Sequence, residues 1–115
     1  MIITYKNRKA EQSFASAFSS SWRYPKDVIL HLKKTENFIN NATSLQDIVC
    51  YRPFRFHPLQ GQRKGEWSIT LGNTKYRVTL IPCDEEGKKI INGDIISKCK
   101  EIKIIMVTEV SNHYE

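Results

Sequence analysis

Five cations and a histidine crowd one stretch of this sequence: Arg55, Arg63, Lys64, Lys75 and Arg77, with His57 among them. His113 and Tyr114 add two proton-transferring groups in the tail. Breaking a phosphodiester through the neighbouring ribose hydroxyl calls for these types. A base takes the proton of the 2′-hydroxyl, an acid protonates the departing 5′-oxygen, and fixed positive groups hold the charge that builds on phosphorus. Histidine, tyrosine, lysine and arginine supply all three functions without an ion. No cluster of acidic residues resembles a metal-ligand set, so the chemistry expected is metal-independent and uses no cofactor.

Each candidate has a plainer reading beside the chemical one. His57, inside Arg55-Phe56-His57-Pro58-Leu59, is either a loop histidine whose ring holds the turn through a backbone bond, or a general base or phosphate contact. Arg77 points to the side of its strand opposite Tyr76 and Val78. Over solvent it is an ordinary exposed arginine; over a cleft it is a phosphate clamp, because a planar guanidinium matches phosphate oxygens two at a time. Arg63 and Lys64, between Gly61 and Gly65, are a solvated pair or contacts to RNA backbone. Arg55 and Lys75 share the second of these expectations. Trp67 fits the alternation of a strand and reads as core before it reads as a stacking platform. Trp22 also reads as packing. Phe54 and Phe56 stack on bases or anchor the loop, and His31 is a helix-surface or interface residue. The segment from Cys83 to Lys100 carries no recognisable chemistry.

The charge distribution narrows the partners. The formal charge is +6, and residues 50–82 hold Arg52, Arg55, Arg63, Lys64, Lys75 and Arg77 against Glu66 alone. A field concentrated in the middle third favours a polyanion, since each neutralised phosphate releases counterions. With 115 residues, 40% hydrophobic and 26% charged, the chain reads as one globular domain over residues 1–115. No apolar run approaches the ~18 residues of a membrane span. The N-terminus lacks the pattern of a secretory signal, and a cytoplasmic location is expected. Cys50, Cys83 and Cys99 are odd in number and widely spaced, suggesting neither a disulfide framework nor a zinc site.

Positioning these groups requires an α+β fold, helices first and strands after. Ile2–Tyr5 reads as an edge or joining strand. Asn7 caps a helix with Ala10, Phe14, Ala17 and Phe18 on one face. Pro25 opens a second helix, where Val28, Leu32, Thr35 and Ile39 follow the helical period. Ser44-Leu45-Gln46-Asp47 resembles a capping box for a short third helix. Pro53, Pro58, Gly61 and Gly65 punctuate a basic loop. Trp67, Ile69 and Leu71 then alternate with polar residues, Gly72-Asn73 marks a turn, and Tyr76, Val78 and Leu80 alternate again. Residues 83–100 read as a protruding hairpin or loop. The apolar run Ile102–Val107 reads as a central strand, which the polar tail from Glu109 leaves.

The run His57-Pro58-Leu59-Gln60-Gly61-Gln62-Arg63-Lys64-Gly65-Glu66-Trp67-Ser68-Ile69 resembles the HigB branch of the RelE-like toxins. There a His-Pro-Leu-Lys-Gly segment leads through a basic residue to Gly-x-Trp-Ser and a strand. Tyr76-Arg77-Val78-Thr79-Leu80 is similar to that family's Trp-Arg-Ile-Thr-Phe strand, and His113-Tyr114 resembles its terminal Asp-Tyr-His in content but not in order. Gln60 replaces a frequent lysine, and the 83–100 segment is longer than in minimal members. The resemblance implies a small antiparallel sheet packed against N-terminal helices, and ribosome-dependent cleavage of mRNA. It further implies His57 and Arg77 as active-site residues, Arg63 and Lys64 on RNA backbone, and Asn112, His113 and Tyr114 beside the cut. The implied partner is a helix-turn-helix antitoxin, through which alone the toxin would reach operator DNA. Two other functions fit the same residues: a non-catalytic toxin of this fold that inhibits DNA gyrase, and a module that only docks RNA or protein.

Overall fold

Caps and apolar periodicity decide where the helices lie. In a computed structural model of the chain, which describes residues 1–15, 24–63 and 65–112, Asn7 accepts from the Ala10 amide and starts α1, Arg8–Phe14. A side-chain cap of this kind is worth about 1 kcal/mol. Ala10 and Phe14 are buried as expected; Ala17, Phe18 and Trp22 lie outside the described residues. Helix α2, Lys26–Asn41, follows Pro25 and buries Val28, Leu32, Thr35 and Ile39, the face that the 3.6-residue period marks out. Ser44 accepts from the Gln46 amide and starts α3, Leu45–Cys50. The reciprocal bond of the capping box is displaced by one residue, for Asp47 accepts from the Thr43 amide at 2.7 Å.

The described residues form a five-stranded sheet in the order β1-β5-β4-β3-β2, composed of β1 (Ile2–Tyr5), β2 (His57–Pro58), β3 (Trp67–Thr70), β4 (Tyr76–Cys83) and β5 (Ile104–Asn112). An α+β domain results, with one departure from the purely antiparallel sheet expected. β1 pairs with β5 in parallel, while the other three pairings are antiparallel. Parallel neighbours need a long crossover, and here the four α-helices and three strands described between β1 and β5 supply it.

One face of the sheet carries Ile105 and Val107 of β5, Val78 and Leu80 of β4, and Ile69 of β3, all within a single hydrophobic cluster with Phe14, Leu32, Ile39, Leu45 and Ile48. Completely burying such an aliphatic side chain stabilises the fold by roughly 1.5–3 kcal/mol. The opposite face carries Ser68, Thr70, Arg77, Thr79 and Glu109, because successive residues of a strand alternate.

β5 continues to Asn112, whereas its apolar run alone suggests an end near Val107. The extension pairs Val110 with Val78 and Asn112 with Tyr76, past a register shift at Thr79/Leu80. Glu109 opposes Thr79 and Val107 opposes Leu80, leaving Thr108 as the extra residue of a β-bulge, a device that re-aims side chains. The 83–100 segment is a tight turn followed by α4, Ile95–Lys98, closed by a Cys83–Lys89 bridge. It is less protruding than expected, since Ile95 and Cys99 enter the core. Cys83 and Cys99 are buried free thiols, and Cys50 is an exposed one. Among the described residues, no helix is long and apolar enough to cross a membrane.

Candidate active site

Strand register settles which candidates share a face. His57 pairs with Ser68, Ser68 with Thr79, and Thr79 with Glu109, forming one row across the sheet. Thr70 pairs with Arg77, and Arg77 with Ser111, forming the next. Directly opposed residues lie on the same side, as do residues two apart on one strand. His57 and Arg77 therefore project from the same face, two strands and two residues apart, about 12 Å between Cα atoms from standard spacings.

The row of Arg77 opens into a cleft of about 430 Å³ at the β3–β4 turn. Arg55, Lys75 and Arg77 line it together, with Thr70, Asn73 and Thr74. Three cations thus converge from two places in the sequence, the 3₁₀ turn and the start of β4, on one concavity. The turn that forms its wall is pinned locally: Thr74 Oγ1 donates to the Leu71 carbonyl at 2.7 Å and accepts from the Tyr76 amide at 3.1 Å. Asn112 ends β5 opposite Tyr76, which also lines the cleft. Lys64, His113 and Tyr114 lie outside the described residues.

Arg55 reaches the cleft from a backbone conformation that arginine seldom adopts. It caps the 3₁₀ turn Arg52–Phe54 with φ 47° and ψ 46°, the only left-handed non-glycine among the described residues. Such a conformation costs of order 1–3 kcal/mol and persists where the surroundings impose it. Here Pro53 and the buried Phe54 hold the turn, while Phe56 stacks on Trp67 with ring centroids 4.7 Å apart and planes 10° from parallel. Both aromatics anchor the loop on either side of Arg55. Trp67 and Phe56 pack against the core, so their faces serve the scaffold.

The same turn orients His57. Its Nδ1 lies 2.6 Å from the Arg55 carbonyl oxygen. A carbonyl only accepts, so in the neutral ring Nδ1 holds the proton and the exposed Nε2 keeps its lone pair. A base acting through Nε2 needs that tautomer. Ser68 Oγ, buried beside it in the row, has no hydrogen-bond partner among the described residues.

Arg63 is placed differently from the other cations. Its Nε and one terminal nitrogen donate to the two carboxylate oxygens of Glu66 at 3.1 and 3.0 Å, and the other terminal nitrogen lies 3.2 Å from Glu109. Thr79 and the bulged Thr108 complete the group: their hydroxyls are 2.7 Å apart, and Thr108 donates to Glu66 at 2.7 Å. The Glu66 hydrogen bond, set against some burial, raises the Arg63 pKa further. Burial pushes the Glu66 carboxyl up, but hydrogen bonds from Arg63 and Thr108 and the charges of Arg63 and Lys6 outweigh it and hold it below the ordinary range. Two carboxylates thus offset one guanidinium, and the cluster ties the basic loop to β4 and β5. Arg63 does not line the cleft.

Sequence reasoning did not anticipate Glu66 and Glu109 as partners of Arg63. The Glu66 pairing has a local signal, being three residues away; the Glu109 pairing needs the bulge. Thr70, Asn73 and Thr74 as cleft residues were signalled only by the turn itself.

Compared with protein-family models, the chain matches none, and no curated protein matches it in sequence. Among the described residues, no three His, Cys, Asp or Glu side chains gather as a metal-binding group. What the arrangement offers is a cation-lined cleft with an exposed imidazole on the same face of the sheet.

Proposed function

We propose that this chain is a RelE-like toxin of the HigB type, a metal-independent endoribonuclease that cleaves mRNA on the ribosome in the cytoplasm. The observation that carries the reading is the convergence of Arg55, Lys75 and Arg77 on one cleft, on the sheet face that also bears His57. The helices-then-sheet order, and the motif of residues 57–69 entering β3, accord with it.

In this mechanism His57 Nε2 takes the proton of the ribose 2′-hydroxyl. The 2′-oxygen attacks phosphorus, the bond to the 5′-oxygen breaks, and a 2′,3′-cyclic phosphate and a 5′-hydroxyl result. Arg77 and Arg55 hold the non-bridging oxygens as charge grows on them, which is where fixed donors have most effect. Lys75 binds adjacent backbone, and Lys64 and Asn112 are assigned to the same RNA contacts. The proton given to the leaving oxygen is assigned to His113 or Tyr114. Arg63 braces the fold through Glu66, Thr79 and Glu109 and takes no part in the chemistry. The partner is a helix-turn-helix antitoxin, and operator DNA is reached only through it.

Mapping RNA ends and DNA breaks after induction tests the reading. New ends inside translated codons, absent in His57→Ala and Arg77→Ala, are expected. Intact messages with broken DNA would mark a gyrase inhibitor and overturn it. Intact messages and intact DNA would leave a docking module.

A further inference from the structure

A second cavity, of about 250 Å³, adjoins the cationic cleft and shares Pro53, Thr70 and Gly72 with it. Its other walls come from α2, the end of α3 and the 3₁₀ turn, and include His31, Lys34, Phe38, Tyr51 and Phe54. The sequence alone marks His31 as a helix-surface or interface residue and gives Tyr51 no role. We propose that this cavity is a nucleobase subsite, receiving the base of a nucleotide whose phosphate lies in the cationic cleft; the proposal rests on the reading of that cleft as an RNA site.

Three observations point to a base as the occupant. The first is ring geometry. Tyr51 is 43% exposed despite its size, yet its ring is fixed by Phe38 and Phe54, each with centroid 4.8 Å away. An aromatic ring that is braced by its neighbours, partly exposed and lining a cavity can serve as a stacking platform, and stacking tolerates any base. The second is size: the cavity falls below the ~300 Å³ at which pockets begin to enclose drug-sized ligands, leaving room for one flat ring system. The third is charge complementarity along the path. A strand of RNA laid from one cavity to the next meets Arg77, Arg55 and Lys75 and then aromatic walls with Lys34 beside them, the alternation of cations and rings that single strands require.

Gly72 shows that the junction is built. It has φ +59°, and a Cβ there would overlap the His31 ring. Only glycine lets the imidazole lie over the turn and form part of the cavity wall while the turn keeps its left-handed step.

The test measures affinity for short single-stranded RNA oligonucleotides at low salt, using the full chain carrying His57→Ala so that the RNA stays intact. One set of oligonucleotides has a single abasic residue moved along the strand. The proposal expects one abasic position to weaken binding roughly tenfold to a hundredfold, the contribution of one stacked base. Tyr51→Ala should weaken the unmodified RNA similarly and make that abasic position silent, while Tyr51→Phe keeps the parent's affinity. If no abasic position matters, the subsite is refuted whether or not the Tyr51 variants fold. Arg77→Ala separates the two layers: if it binds RNA as the parent does, or if the parent binds none, the RNA reading of the cleft fails and the subsite with it. If Arg77→Ala weakens every oligonucleotide but Tyr51→Ala binds normally, the subsite alone falls.

Discussion

The sheet face opposite the core has two cationic regions that differ in what surrounds them. At the β3–β4 turn, Arg55, Lys75 and Arg77 border empty volume. In the other region, the half-buried Arg63 donates to Glu66 and the Thr79 hydroxyl and pairs with Glu109. Both regions hold guanidinium groups, but they differ in what they line. Arg63 joins a cluster with two carboxylates that ties the basic loop to β4 and β5, whereas Arg55, Lys75 and Arg77 line a concavity. A count of positive residues between 50 and 82 merges the two.

The largest expected effect is at His57 and Arg77. His57→Ala should lower the cleavage rate about 10²- to 10⁴-fold, the usual contribution of a positioned base. Arg77→Ala should lower it about 10²- to 10³-fold, as removal of one transition-state donor does. Both variants should retain the parent's circular dichroism and antitoxin binding. Intact cleavage in either, measured by primer extension, would break the comparison at its cationic end.

Removing Glu66 probes the other end. Glu66→Ala removes the two-pronged bond to Arg63 and the acceptor of Thr108, and should destabilise the protein by about 1–3 kcal/mol in urea unfolding, with RNA affinity little changed. The salt dependence of RNA binding sharpens the contrast. Each phosphate contact to a single strand contributes about 0.7 to the slope of log K against log salt. Arg77→Ala should reduce the slope by about that amount, and Arg63→Ala should leave it unchanged.

A pH effect follows from the depressed Glu66 pKa. A carboxyl held below its ordinary value of 4.5 binds a proton more readily unfolded than folded. Its stabilisation is therefore full above that value and is lost as pH falls through the lower, folded pKa. Glu66→Gln should flatten this part of the acid-stability curve. The smallest effect belongs to Arg55→Asn, which relieves the left-handed strain and should raise stability by up to about 1 kcal/mol while weakening RNA binding. A loss of stability there would show that the Arg55 side chain also braces the turn.

Much of the fold was legible because its signals are local. Asn7 and Ser44 cap helices within three residues of themselves, and Val28, Leu32, Thr35 and Ile39 announce a buried face by period. The parallel pairing of β1 was not legible, since it joins residues about a hundred positions apart. Nor was the length of β5, whose last residues are polar because one face of the strand is not covered by the core. For the site, residue types marked the candidates but register assembled them. Nothing in Arg55-Phe56-His57 says which face the imidazole takes, and nothing in Arg63-Lys64 shows that only a fold-dependent bulge brings Glu109 to the guanidinium. The left-handed Arg55 has no sequence signature at all.

The central claim is that the cleft around Arg77, and not the cluster around Arg63, holds the scissile phosphate. It is tested most directly by cleavage of a translated message in a reconstituted ribosomal reaction, with the parent chain, Arg77→Ala and Arg63→Ala side by side at a temperature where all three are folded. Cuts by the parent and by Arg63→Ala at comparable rates, and their loss with Arg77→Ala, are predicted. Cleavage that survives in Arg77→Ala but disappears in Arg63→Ala would contradict the account.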